Sequence, residues 1–159
     1  MNNFNMIELV QLAINIEKRG MEFYDAAYSS AADSKAKDLY KYLYNEEVKH
    51  LKLFTELYNH IKDIVSIGDD YLFDENVSAY LKSLVKEEVF KTSVLQENNN
   101  KSEIDSIVRE ALKAEKNSIL FYTELALHTK DEEILNILDI LIDEEKKHLV
   151  ELTTLLNVA

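Results

Sequence analysis

Two short stretches decide how this chain is read: Glu46-Glu47-Val48-Lys49-His50-Leu51 and Glu144-Glu145-Lys146-Lys147-His148-Leu149. They lie 98 residues apart, as do Glu17 and Glu115, Phe23 and Phe121, Tyr24 and Tyr122, and Asp33 and Asp131. From Ala13 to Asn59, 15 of 47 positions are identical at that offset, with no gap. Chance would give roughly a tenth or fewer, so the chain contains an internal duplication.

Each copy reads as a helical hairpin. Asn5 is placed to cap a helix over about 6–31, with Leu9, Leu12, Ala13, Ile16, Phe23 and Ala27 at helical spacing. Ala31-Ala32-Asp33 breaks it, and Asp33 can cap a second helix over 34–62, with Leu39, Leu43, Leu51, Phe54, Leu57 and Ile61 as its apolar face. In the second copy, Ser102 and Asp105 resemble a capping box for a helix over 103–129. Asp131 caps the last helix, 132–157, with Glu132 and Glu133 in the first turn, where the helix dipole favours them.

Residues 63–101 do not repeat. Gly68-Asp69-Asp70 is a turn signal and Gln96-Glu97-Asn98-Asn99-Asn100 a polar loop. Between them Asn76 can cap a short helix over 77–88, with Val77, Tyr80, Leu81, Leu84 and Val85 buried. The expected fold is all-α: one domain over 1–159, a four-helix bundle of two duplicated hairpins (6–62 and 102–157) joined by a long crossover carrying its own short helix.

The bulk composition agrees. The chain has 159 residues, no proline, two glycines, 47% apolar and 30% charged residues, which suits long helices in a single core. A net charge of −12 argues against nucleic acid or an anionic membrane as partner. Cysteine is absent, which excludes disulfides, thiolate metal sites and a cysteine nucleophile. Met1 to Met6 has neither a basic flank nor an apolar core, and no run of about 18 apolar residues occurs. The expectation is a cytoplasmic protein.

The duplicated carboxylates meet by counting. Glu17 lies sixteen residues before Asp33 and Glu47 fourteen after it. At about 1.5 Å per residue these are roughly 24 Å up one helix and roughly 21 Å down the next, the same level within about a turn. Glu115 and Glu145 repeat the count around Asp131. Within each second arm, Glu and His are spaced i, i+3 and share a face with apolar residues. A charge on an apolar stripe is costly unless paired or bound to metal.

Six candidate ligands therefore converge: Glu17, Glu47, His50, Glu115, Glu145 and His148. Four carboxylates and two divalent ions neutralise one another, and this ligand set is the known pattern of di-iron and di-manganese carboxylate bundles. Oxygen-rich donors with one imidazole per ion suit iron or manganese better than copper. His60 and His128 lack such a context and read as surface residues. Glu46 and Glu144 read as solvated, with Lys49 and Lys147 as nearby partners. Tyr24 and Tyr122 read either as hydrogen-bond donors to ligand carboxylates or as core aromatics, and the other tyrosines, among them Tyr40, Tyr42 and Tyr44, as packing or surface.

These segments resemble the rubrerythrin-type branch of the ferritin-like family. The likeness runs through Ala13-Ile14-Asn15-Ile16-Glu17-Lys18, Glu22-Phe23-Tyr24 and Glu46-Glu47-Val48-Lys49-His50-Leu51. It returns in Ala111-Leu112-Lys113-Ala114-Glu115-Lys116, Phe121-Tyr122 and the second Glu-Glu-Lys-Lys-His-Leu stretch. The resemblance implies two non-haem iron ions that react with peroxide or dioxygen, a homodimer, and Glu47 and Glu145 bridging the metals. It departs in two places. Full rubrerythrins carry a rubredoxin-like domain on paired Cys-x-x-Cys motifs, so electrons here would come from an external donor such as a rubredoxin-like protein. The family's extra Glu, three residues after the third-helix ligand, is Ser118 here, with Gly20 at the repeat position. Those two small residues either leave room for an oxygen ligand or allow close helix packing.

Three functions follow as expectations: reduction of hydrogen peroxide or dioxygen in oxidative-stress defence; binding, storage or delivery of iron or manganese without efficient turnover; and a structural bundle whose duplicated faces serve dimerisation.

Overall fold

The computed structural model describes residues 3–65, 72–86 and 101–157. Five helices follow in order: α1 Met6–Ser30, α2 Ser34–Val65, α3 Glu75–Lys86, α4 Lys101–Leu127 and α5 Glu132–Asn157. α1 packs along α2 and α4 along α5, giving the two hairpins. The hairpins join through α2 against α5 and α1 against α4, and α3 leans on α4. The result is the expected four-helix bundle with a helical crossover.

Capping sets the helix starts. Asn5 accepts the Glu8 N–H at 2.9 Å, and the Glu8 carboxylate accepts the Asn5 N–H at 2.9 Å, a reciprocal box. Asp131 Oδ1 accepts the Glu133 and Ile134 N–H groups, each at 3.0 Å. At the start of α2 the Asp33 carbonyl accepts the Lys37 N–H at 3.0 Å.

Three local expectations are corrected. α3 begins at Glu75, and its cap is Asp74, whose Oδ1 accepts the Val77 N–H at 2.9 Å, so Asn76 lies inside the helix. Its buried residues are Ser78 and Leu81, while Tyr80 is exposed. α4 begins at Lys101, which puts Ser102 within the helix and not at its cap. The turn at Gly68-Asp69-Asp70 and the loop at Gln96-Glu97-Asn98-Asn99-Asn100 fall outside the described residues.

The crossover is tied to the N-terminal segment. Phe73 N–H donates to the Phe4 carbonyl at 2.8 Å, and Phe4 N–H donates to Ser78 Oγ at 3.2 Å. Phe73 is buried and meets the His128 ring edge-on at 5.3 Å. Local pairing thus covers the end of the bundle near the α4–α5 turn.

The core is one continuous cluster. Leu9, Ala13, Ile16, Phe23 and Ala27 of α1 and Leu43, Phe54, Leu57 and Ile61 of α2 are buried as the spacing predicts; Leu12, Leu39 and Leu51 are half-buried against them. Val108, Ala111, Phe121, Leu125, Leu138, Leu141 and Leu152 complete it from the second hairpin. Each helix buries one stripe, so packing and not propensity holds the bundle. Glu17, Glu47, Glu115 and Glu145 lie within these stripes, which is where the fold acquires its chemistry.

Candidate metal centre

All six predicted ligands come together at mid-bundle, each almost wholly buried. Glu17 comes from α1, Glu47 and His50 from α2, Glu115 from α4, and Glu145 and His148 from α5. They form two overlapping groups whose candidate ligand atoms lie within 4.8 Å of one another. One is Glu17, Glu47, His50 and Glu145; the other is Glu47, Glu115, Glu145 and His148. Glu47 and Glu145 belong to both.

The imidazoles turn Nδ1 inward. His50 Nδ1 lies 3.1 Å from Glu145 Oε1, 3.4 Å from Glu17 Oε2 and 4.0 Å from Glu47 Oε2. His148 Nδ1 lies 3.0 Å from Glu145 Oε2 and 3.7 Å from Glu115 Oε1. The two rings stack at 5.2 Å, 17° from parallel.

The tyrosines cross between hairpins. Tyr24 Oη donates to Glu115 Oε1 at 2.5 Å, and Tyr122 Oη donates to Glu17 Oε1. Each bond fixes one carboxylate oxygen and leaves the other, Oε2, buried without a hydrogen-bond partner. Glu47 Oε1 is buried and equally unsatisfied. Buried polar atoms are normally paired, so unsatisfied donor atoms converging on one point fit a cation held there. The donor set is oxygen-rich with one imidazole per group, as iron or manganese prefers.

The charges show the same demand. Burial and the neighbouring Glu17 carboxylate raise the Glu47 pKa well above the ordinary range. Burial and Glu145 push Glu115 up to about 8. Burial opposes ionisation of Glu145 too, but hydrogen bonds with His148 and His50 outweigh it and hold its carboxyl well below the usual value. Burial disfavours charge on His50 and His148, yet the facing carboxylates win: Glu145 and Glu17 push His50 up to about 12, and Glu115 and Glu145 push His148 up to about 10. Tyr24 and Tyr122 are raised by burial and by the carboxylates they hold, so both stay neutral donors. Protons and cations would thus compete for the same donor atoms.

Four side chains are less exposed than expected, though Glu46 keeps its expected partner Lys49. Glu144 is half-buried and its Oε2 meets His50 Nε2 at 2.8 Å, behind a predicted ligand. Glu46 is buried, with Lys49 Nζ at 2.5 Å. The doubled Glu-Glu in both motifs was the available signal for these roles. His60 is half-buried, its Nε2 3.3 Å from Asp131 and its Nδ1 3.0 Å from Glu133. His128 is half-buried, 3.0 Å from Glu124. Of the other tyrosines, Tyr40 is buried and Tyr42 is exposed, edge-on to His148 at 6.4 Å. Gly20 and Ser118 are buried one turn from Glu17 and Glu115, and Ser118 Oγ donates to the Ala114 carbonyl at 3.1 Å. The serine hydroxyl is thus engaged by its own helix.

This is a ferritin-like helical bundle enclosing a carboxylate–imidazole cluster. The chain belongs to the rubrerythrin family, whose model matches residues 8–156. It is similar in structure to a hypothetical protein from Pyrococcus furiosus, with TM-score 0.75 and 27% identity over 97% of this chain and 92% of that one. It also shares its fold with a Thermotoga maritima protein described as a ferritin-like diiron-carboxylate protein, with TM-score 0.74 and 19% identity over 97% and 95% of the two chains. A search of curated proteins returns no match. No helix among the described residues is long and apolar enough to cross a membrane.

Proposed function

We propose that the cluster holds two iron ions and that the protein reduces hydrogen peroxide or dioxygen with electrons from an external donor. The observation carrying this reading is the pair of four-residue groups that share Glu47 and Glu145 and contain unsatisfied buried donor atoms. In this reading Glu17 and His50 would hold one ion, Glu115 and His148 the other, and Glu47 and Glu145, which belong to both groups, would contribute to each. When bound, a pair of ferrous ions would supply the two electrons that reduction of one peroxide to two waters requires, with two protons from solvent; reduction of dioxygen to water would draw two further electrons from the external donor and two further protons. The chain's own part is positional. Tyr24 and Tyr122 hold the Glu115 and Glu17 carboxylates from the opposite hairpin, and Glu144 orients His50, while the six residues themselves are almost wholly buried.

An external donor, such as a rubredoxin-like protein, is part of the proposal because these 159 residues contain no cysteine to hold a rubredoxin-type iron. Family resemblance supports a cytoplasmic homodimer, and the exposed Leu120, Leu127, Ile140 and Val150 of the second hairpin are side chains a second copy could cover.

A second reading, iron or manganese binding, storage or delivery without repeated turnover, is favoured by Ser118. The family's extra carboxylate is missing there, and the hydroxyl is bonded to Ala114. The two readings separate in one assay. Reduced, iron-loaded protein is mixed with excess peroxide and an external reductant. Repeated consumption supports the enzyme; a single oxidation followed by arrest supports storage or delivery.

A further inference from the structure

The two halves of the centre share a ligand set but differ in what stands behind each histidine. Behind His50, Nε2 meets Glu144 Oε2 at 2.8 Å. Glu144 is the repeat counterpart of Glu46, so the duplication places Glu46 behind His148. Yet His148 Nε2 is buried with no hydrogen-bond partner. Glu46 lies nearby: a carboxylate oxygen of Glu46 and one ring nitrogen each of His50 and His148 lie within 4.8 Å of one another, a gap a side-chain rotation can close. Glu46 Oε1 is instead taken by Lys49 Nζ at 2.5 Å, an i, i+3 pair whose glutamate side chain is 10% exposed and whose lysine is 66% exposed. Glu144 is paired to His50 and to no lysine among the described residues.

A histidine that ligates through Nδ1 carries its proton on Nε2. An acceptor there fixes the ring's tautomer and orientation and raises its strength as a ligand. His50 has that acceptor in place; His148 does not. We propose that Glu46 is the positioning residue for His148 and that Lys49 competes for it, so the His148 half binds its ion more weakly until Glu46 turns from Lys49 to His148 Nε2. The inference rests on the reading of the six residues as a two-ion centre. A surface lysine is a weak competitor because its ion pair is exposed to water and salt on one side. That is what makes the exchange reversible.

Stepwise calorimetric titration of the metal-free protein with ferrous ion, under anaerobic conditions, tests this. The wild type is expected to bind in two unequal steps. Lys49→Met, a change on an exposed side chain that leaves the core intact, tightens the weaker step and narrows the gap. Glu46→Ala weakens that same step about tenfold or more and leaves the stronger one unchanged, whereas Glu144→Ala weakens the stronger. Two ions bound with equal affinity, or Lys49→Met leaving both steps unmoved, overturns the asymmetry while preserving the two-ion centre. No stoichiometric binding by the wild type overturns the centre itself.

Discussion

Tyr122 on α4 donates its hydroxyl proton to Glu17 on α1, 105 positions earlier, while Tyr24 on α1 makes the reciprocal bond to Glu115 on α4. Each tyrosine follows the glutamate of its own hairpin by seven residues, yet serves the other's. The duplication has produced a crossed pair of braces that ties the hairpins together at the level of the cluster.

Removing one brace should therefore affect both assembly and site. Tyr122→Phe leaves Glu17 Oε1 buried without its donor, which costs about 1–3 kcal/mol of folding stability. Metal affinity should fall about tenfold or more because the carboxylate is no longer held. Thermal melting and metal titration of the Phe variant check both; a variant that melts and binds as the wild type does would make the tyrosine only a core aromatic.

Loading should expel protons. Glu115 is raised to about 8 and His148 to about 10, so both carry protons at neutral pH that a bound cation must displace. Metal affinity should rise with pH, and an unbuffered titration should acidify on loading. A proton yield of zero would contradict the protonated cluster.

The same shifts set the stability of the metal-free chain. Glu115 rises from 4.5 to about 8 and His148 from 6.5 to about 10. Both folded values lie above the unfolded ones, so the stabilisation is complete below the unfolded values and is lost as pH climbs through the folded ones. The metal-free protein should become less stable from about pH 5 to about pH 10, while the loaded protein, its cluster protons already displaced, should show a flatter profile. Denaturant midpoints across that range, with and without ferrous ion, distinguish the two.

Asp131 gives the opposite slope. Burial is the largest single influence and raises its pKa, but the Ile134 and Glu133 N–H groups and the facing His60 together outweigh it and lower the pKa from its ordinary value of 3.8. Its contribution is present above the unfolded value and disappears as pH falls through the folded one. Asp131→Asn keeps a competent cap but removes the charge facing His60, so the variant should lose less stability than the wild type between about pH 5 and about pH 2. Parallel acid-denaturation curves for the two proteins would contradict this.

Much of this arrangement was readable beforehand because helix geometry converts sequence intervals into heights. The counts of sixteen residues from Glu17 to Asp33 and fourteen from Asp33 to Glu47 put the two carboxylates level within about a turn, and the i, i+3 spacing put His50 beside Glu47. The partners behind the ligands were not readable that way. Glu144 reaches His50 across the α2–α5 seam, a contact set by how hairpins pack and not by any interval within one. The start of the crossover helix is set in a related way. Asp74, and not Asn76, caps α3 because Phe73 pairs with Phe4 and fixes where the helix begins, which only the tertiary fold reveals.

The proposed two-ion centre rests on Glu47 and Glu145, which belong to both ligand groups. Elemental analysis of protein produced in iron-sufficient cells, beside the Glu47→Ala/Glu145→Ala double variant, tests it most directly. About two irons per chain in the wild type, lost in a variant that still folds as a helical bundle, is the predicted result. No stoichiometric metal in either protein would contradict it and leave a duplicated bundle whose buried carboxylates are neutralised by protons alone.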